Sequence, residues 1–199
     1  VGLDYSFCFP QPSFDERMVS FDLNYFKYCF LKATVLEFSE ITLHDDFQKL
    51  SANRLGESRS ETFLYRNFQA RNVMIYNGAP YFIDFQGGRK GPIYYDLASF
   101  VWQAKANYSE ELKRVLIETY REELKNYISI EDGLFYDKLR HFVLFRTMQV
   151  LGAYGFRGYF ERKQNLISSI RTDCRLNTSE AADDLLRVSL GGRRIIKKQ

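Results

Sequence analysis

The sequence predicts an α+β domain, mainly α, with helices around one central β-hairpin. Three observations predict it. Apolar residues recur at helical steps before Gly56 and again beyond Asp96. Between them, the β-rich runs Val73-Met74-Ile75-Tyr76 and Tyr81-Phe82-Ile83 flank Asn77-Gly78-Ala79-Pro80, and Asn-Gly between such runs is a strong hairpin signal. Finally, the residues with unusual chemistry crowd between Arg66 and Asp96 rather than spreading along the chain.

Each element has a local reason. Over 13–31, Phe14, Met18, Phe21, Tyr25, Phe26 and Cys29 fall at steps of three, four and one, with Ser13 as N-cap after Pro12. A second helix is expected over 39–55, with Ile41, Leu43, Phe47, Leu50 and Leu55 apolar and Asp45, Asp46 and Lys49 polar. Gly56 and the polar ESRSE end it. Phe63 to Tyr65 is a short apolar entry to the middle. FQGGRKGP, 85–92, holds three glycines and a proline and is expected to be irregular. Helices return over 96–106, after Ser109 with Glu110 and Glu111 at the anion-favouring end, over 134–151, and over 179–190 with Thr178 as cap. In 134–151 the apolar face is Leu139, Phe142, Val143, Phe145, Met148 and Val150.

Composition narrows the function classes. The chain of 199 residues has an aromatic share of 17%, built on 18 Phe and 14 Tyr, which predicts a Phe-rich core rather than a base-stacking surface. A net charge of +3 is too small to indicate nucleic acid as partner, and the basic GGRRIIKKQ end reads as a solvated tail. Cys8, Cys29 and Cys174 are widely spaced and form no CxxC pair, so they read as buried thiols in a reducing compartment. No apolar run approaches the roughly 18 residues of a membrane span. A soluble, cytoplasmic protein with no membrane partner is the expectation.

The chemistry lies in YRNFQARNVMIYNGAPYFIDFQGG. Phosphoryl transfer requires magnesium against the phosphates and a residue that orients the attacking hydroxyl. Magnesium takes hard oxygen ligands, one or two of them from side chains. Asn72 stands just before the first strand and Asp84 just after the second, so the hairpin makes them neighbours able to share a cation. Asn67 precedes Asn72 by five residues, the spacing of Asp and Asn in the kinase loop H-R-D-x-x-x-x-N. The Asp of that loop accepts a hydroxyl proton. Gly87, Gly88 and Gly91 let Arg89 and Lys90 turn toward negative charge. Each feature alone is commonplace, but their order and spacing together point to a phosphotransferase.

The pieces YRNFQARNVMI, YFIDFQGGRKGP and YYDLASFVWQA resemble the aminoglycoside phosphotransferase family of kinase-like enzymes. That family shows a His/Tyr-x-Asp-x-x-x-x-Asn loop, a hairpin, an Ile-Asp and, about a dozen residues later, an Asp-Leu-Ala. Within it, IDFQGGRKGPIYYDLAS is most similar to bacterial cell-wall amino-sugar kinases, which phosphorylate the anomeric hydroxyl of N-acetylmuramate or N-acetylglucosamine. The resemblance covers roughly 14–165 and is most specific in 63–103; 166–199 diverges from it.

The resemblance implies a kinase-like C-terminal lobe occupying 1–199 as a single domain, with ATP and magnesium as cofactors and a sugar-sized alcohol as substrate. Asn72 and Asp84 would bind the magnesium, and Arg89 would join them on the nucleotide. Asn67 would sit at the catalytic-base position, with Arg66 and Arg71 steadying the loop or facing the phosphates. Asp96 would hold the loop through backbone N–H groups. GAYGFRGYF, 152–160, reads as interhelical packing, with a place near the acceptor pocket as its other reading.

Two departures stand out. Asn67 cannot accept a proton as a carboxylate does. No Gly-rich strand–turn–strand followed by a lysine precedes the loop, so the N-terminal lobe that covers ATP is expected to be absent. These departures support an alternative, a catalytically inactive kinase-like binding module for a sugar or protein partner. A helical interaction domain with a coincidental motif is the third reading. The identity of the acceptor and the oligomeric state are not legible in the sequence.

Overall fold

The computed structural model describes residues 3–34, 37–51, 62–103 and 106–163. These are mainly helical, with two small antiparallel sheets. The chain divides into two compact units, 1–15 with 58–143 and 16–57 with 144–199.

In the second unit, helix α1 spans Glu16–Phe26 and runs on as a wider turn over Lys27–Leu31. It starts later than predicted, because Ser13 is held in a β-bridge to Lys90 and does not cap it. The buried face is Met18, Val19, Asp22, Leu23 and Phe26, while Phe21 is exposed. Met18 and Phe26 lie on the predicted face; hydrophobic periodicity could not place Asp22 there, a carboxylate that the Gln149 amide satisfies at 2.5 Å. Helix α2, Glu40–Lys49, is capped by Ser39, whose Oγ accepts from the Thr42 N–H at 3.3 Å. Leu43 and Leu50 are buried but Ile41 is exposed. Phe26, Phe30 and Leu151 form a core with Leu31, Phe47 and Met148 against it.

The stretch 152–160 packs helices, as read. A β-carbon on Gly155 would lie 2.2 Å from the Cys29 carbonyl oxygen, and one on Gly152 would lie 3.0 Å from the Phe26 backbone. Backbone cannot yield as a side chain does. Gly155→Ala is therefore expected to destabilise the chain by about 1–3 kcal/mol. Urea unfolding measures it, and an unchanged midpoint would contradict the close approach.

In the first unit, β2 (Val73–Tyr76) and β3 (Ala79–Phe82) form the predicted hairpin, with Val73 opposite Phe82 and Tyr76 opposite Ala79. Asn77 and Gly78 have φ of 50° and 77°, the pair of left-handed residues a type I′ turn demands. A second sheet was not expected. β1 (Thr62–Leu64) pairs with β4 (Arg89–Gly91), so 85–92 is not wholly irregular. Gly91 is what permits it: a β-carbon there would lie 2.5 Å from that of Leu64. On its other side Lys90 bonds the peptide leading to α1, donating to Pro12 O at 2.9 Å and accepting from the Phe14 N–H at 2.7 Å.

Helix α3, Ile93–Val101, begins three residues before the predicted start. Pro92 precedes it, at a position where the missing N–H costs nothing. α4, Glu110–Leu124, carries the predicted cap: Ser109 Oγ accepts from the Leu112 N–H at 3.2 Å. α5 spans Asp132–Gly155, longer at both ends than 134–151. Phe14 meets Tyr95 edge-on at 5.5 Å, and Tyr94 stacks on Phe142 at 5.6 Å. The Phe-rich core exists here in Phe14, Phe135 and Phe142 and in the other unit in Phe26, Phe30 and Phe145. Phe7, Phe9, Phe21 and Phe85 are exposed.

Cys8 and Cys29 are free and half-buried, less enclosed than predicted. Among the described residues no helix is long and apolar enough to cross a membrane. The end of the second helix toward Leu55, Cys174, the helix over 179–190 and the basic end lie outside the described residues.

Candidate functional site

The hairpin returns the chain to its starting level, and Ile83 N–H donates to Asn72 O at 3.0 Å. Asn72 closes a short 3₁₀ turn, Ala70–Asn72, and is 6% exposed. Its Nδ2 donates to Asn67 O at 2.8 Å and to Asp84 Oδ2 at 3.1 Å. Asn67 Nδ2 approaches the same oxygen at 3.4 Å. Gln86 Nε2 donates to Asp84 Oδ1 at 2.6 Å. Asn67, Asn72 and Asp84 thus form one cluster, with a carboxylate held by neutral amides.

The backbone around the cluster is strained. Arg66 and Asp84 have φ of 72° and 69°, in the left-handed region that non-glycine residues seldom occupy. Asn67 N–H donates back to Tyr65 O at 3.0 Å, closing a tight turn about Arg66. Such strain persists only where neighbours over-determine it. Asp96 supplies this from the first turn of α3: its Oδ2 accepts from the Tyr65 N–H at 2.6 Å and its Oδ1 from the Arg66 N–H at 2.9 Å.

Tyr65 joins both sides. Its hydroxyl donates to the carbonyl of Ile83, the residue before Asp84. Burial, reinforced by the Asp84 and Asp96 charges, raises its phenol above the ordinary value, so it stays a protonated donor at neutral pH. Deeper burial, with smaller contributions from Asp96 and Tyr94, raises Tyr120 further still, and its hydroxyl donates to Ile93 O at 2.7 Å. Phe68 stacks on Phe100 at 4.9 Å and contacts Phe82 at 5.9 Å. Gln103 accepts from the Ala70 N–H at 3.1 Å.

The three arginines separate. The Arg66 stem lies against Gly87, and Arg71 is exposed on the 3₁₀ turn. Arg89, expected on the nucleotide, is 1% exposed and donates to the carbonyls of Gly87 and Phe9, each at 3.0 Å. Pairing in β4 draws it inward, so it braces the glycine loop and the N-terminal segment instead of standing open to solvent.

Residues 16–128, more than half of the chain, match the Phosphotransferase enzyme family. The chain belongs to that family. A coincidental motif in a helical interaction domain is thereby overturned. This phosphotransferase-family chain is also similar to an N-acetylmuramate/N-acetylglucosamine kinase from Neisseria meningitidis serogroup B (strain ATCC BAA-335 / MC58), at 34% identity over 68 residues. That alignment covers 34% of the chain and 20% of the relative, so the chain spans about a fifth of the relative's length. Both matches are to phosphotransferases and support a kinase-like assignment.

Sequence reasoning left Tyr65, Gln86 and Gln103 unassigned. Tyr65 occupies the His/Tyr place of the loop pattern and was readable there. Gln86 and Gln103 carry no local signal, since an isolated glutamine is usually just solvated.

The donor set fits a hard cation. Asp84 has carboxylate oxygens and Asn72 an amide oxygen, both hard donors, and it is Nδ2 that Asn72 turns toward Asp84. Among the described residues no group of three or more His, Cys, Asp or Glu is arranged for a metal.

Proposed function

We propose that the chain is a kinase-like lobe that supports ATP-dependent transfer of phosphate to a hydroxyl of a small molecule, with a sugar or amino sugar as acceptor. The observation that carries it is the meeting of Asn67, Asn72 and Asp84 at the base of the hairpin. In this reading Asp84 and Asn72 hold magnesium, which when bound offsets the charge of the phosphates. Asn72 is oriented by its bond to Asn67 O, and Asp96 fixes the loop that carries Asn67. Asn67 positions the hydroxyl by hydrogen bonding but takes no proton, so the proton passes to solvent or to the phosphate. Arg71, exposed beside the site, is the basic residue best placed to meet phosphate, while Arg66 shapes the loop. The amino-sugar acceptor rests on the kinase relative and is the finer part of the proposal.

Calorimetric titration of the 199-residue chain with ATP, with and without magnesium, tests this. Binding is expected only with the metal, and Asp84→Ala is expected to abolish it. Equal binding by the variant would sink the assignment of Asp84.

A further inference from the structure

Among the described residues Asp84 is held by three side-chain amides and its carboxylate forms no ion pair with a cationic side chain. Two of the amides, from Asn67 and Asn72, approach Oδ2. The other oxygen, Oδ1, accepts from Gln86 Nε2 at 2.6 Å. Donors on one oxygen only leave a carboxylate free to swing about its last torsion, which is broad. A donor on each oxygen fixes its plane. Backbone geometry makes this matter more, since Asp84 sits at φ 69°. The chemical identity of the donor is also significant: a lysine or arginine would orient the carboxylate but cancel its charge, whereas an amide orients it and leaves the charge intact.

We infer that Gln86 is a positioning residue, a neutral donor that aims the Asp84 carboxylate at a divalent cation. This rests on the magnesium reading of Asp84 given above. Outer residues that orient metal ligands typically change affinity by about 10–100-fold when removed. Gln86 is solvent-exposed, so the lower end of that range applies.

The test is manganese binding to the 199-residue chain, followed by the loss of the free-ion electron paramagnetic resonance signal, with thermal midpoints measured in parallel. Gln86→Met keeps the side-chain length and removes the donor; it is expected to weaken manganese about tenfold without moving the midpoint. Gln86→Lys keeps a donor but adds charge, and is expected to weaken the ion at least as much. Wild-type affinity in either variant would overturn the corresponding part, the aiming or the neutrality. If Asp84→Ala abolishes binding while Gln86→Met does not change it, only this inference fails. If Asp84→Ala binds like wild type, or wild type binds no manganese, the reading of Asp84 fails and this inference with it.

Discussion

Replacing Asn67 by aspartate is expected to make the stability of this chain depend on magnesium and to raise any phosphate transfer it performs. The amide nitrogen now lies 3.4 Å from Asp84 Oδ2 and donates toward it. An aspartate there replaces a donor by a second negative charge. At about 4 Å two like charges repel by roughly 4 kcal/mol at an effective dielectric near 20, and solvent at this half-buried site reduces that to on the order of 1–3 kcal/mol. Without a divalent ion Asn67→Asp should therefore melt earlier than wild type, and added magnesium should restore most of the difference. Wild type, already satisfied by amides, should respond much less. In transfer assays with N-acetylmuramate and N-acetylglucosamine, the restored base should increase the rate by about 10²–10⁴-fold. If the variant melts like wild type in both conditions, the two side chains do not face each other. Should it show the magnesium response but no transfer to either sugar, the amino-sugar acceptor is wrong and a binding role gains.

Asp96→Ala is expected to have the largest effect on the fold of the site. Two backbone N–H groups, of Tyr65 and Arg66, lose a charged acceptor at once. Bonds to charged groups contribute roughly 1.5–3 kcal/mol each. Release of the left-handed Arg66 returns part of this, since such strain costs on the order of 1–3 kcal/mol. A net loss of about 2–4 kcal/mol should follow in urea unfolding. Asp96→Asn, which keeps one acceptor oxygen, should fall between the variant and wild type. Hydrogen exchange gives the local readout: the Tyr65 and Arg66 amides should be protected in wild type and fast in Asp96→Ala. Equal protection in both would show that Asp96 does not hold the loop. Because Asn72 is tied to Asn67 O, loosening the loop should also weaken ATP binding.

Much of the local structure was legible because its causes are local. Asn77-Gly78 forces a hairpin turn by backbone freedom alone, and Ser109 caps its helix with its own hydroxyl. The meeting of Asn72 with Asp84 follows from the hairpin, since antiparallel pairing must return the chain to its start. Other features answered to distant parts of the chain. Arg89 looked like an open cation among glycines, yet β4 pairs with β1 and buries it against Phe9 O and Gly87 O. Nothing near residue 89 announces that partner, more than twenty residues earlier. Asp22, which no sequence pattern singled out, is likewise buried in α1 with Gln149 as its donor.

The sequence by itself determined the hairpin, the Ser109 helix cap and the loop spacing that brings Asn67, Asn72 and Asp84 into one region, because turn chemistry and chain geometry act over a few residues. Only the tertiary structure decided which oxygen each amide holds, that Gln86 completes the set, and that Arg89 turns inward. Those outcomes depend on pairing and burial between segments far apart in the chain, where the stability of a contact is set by its partner and not by its neighbours in sequence.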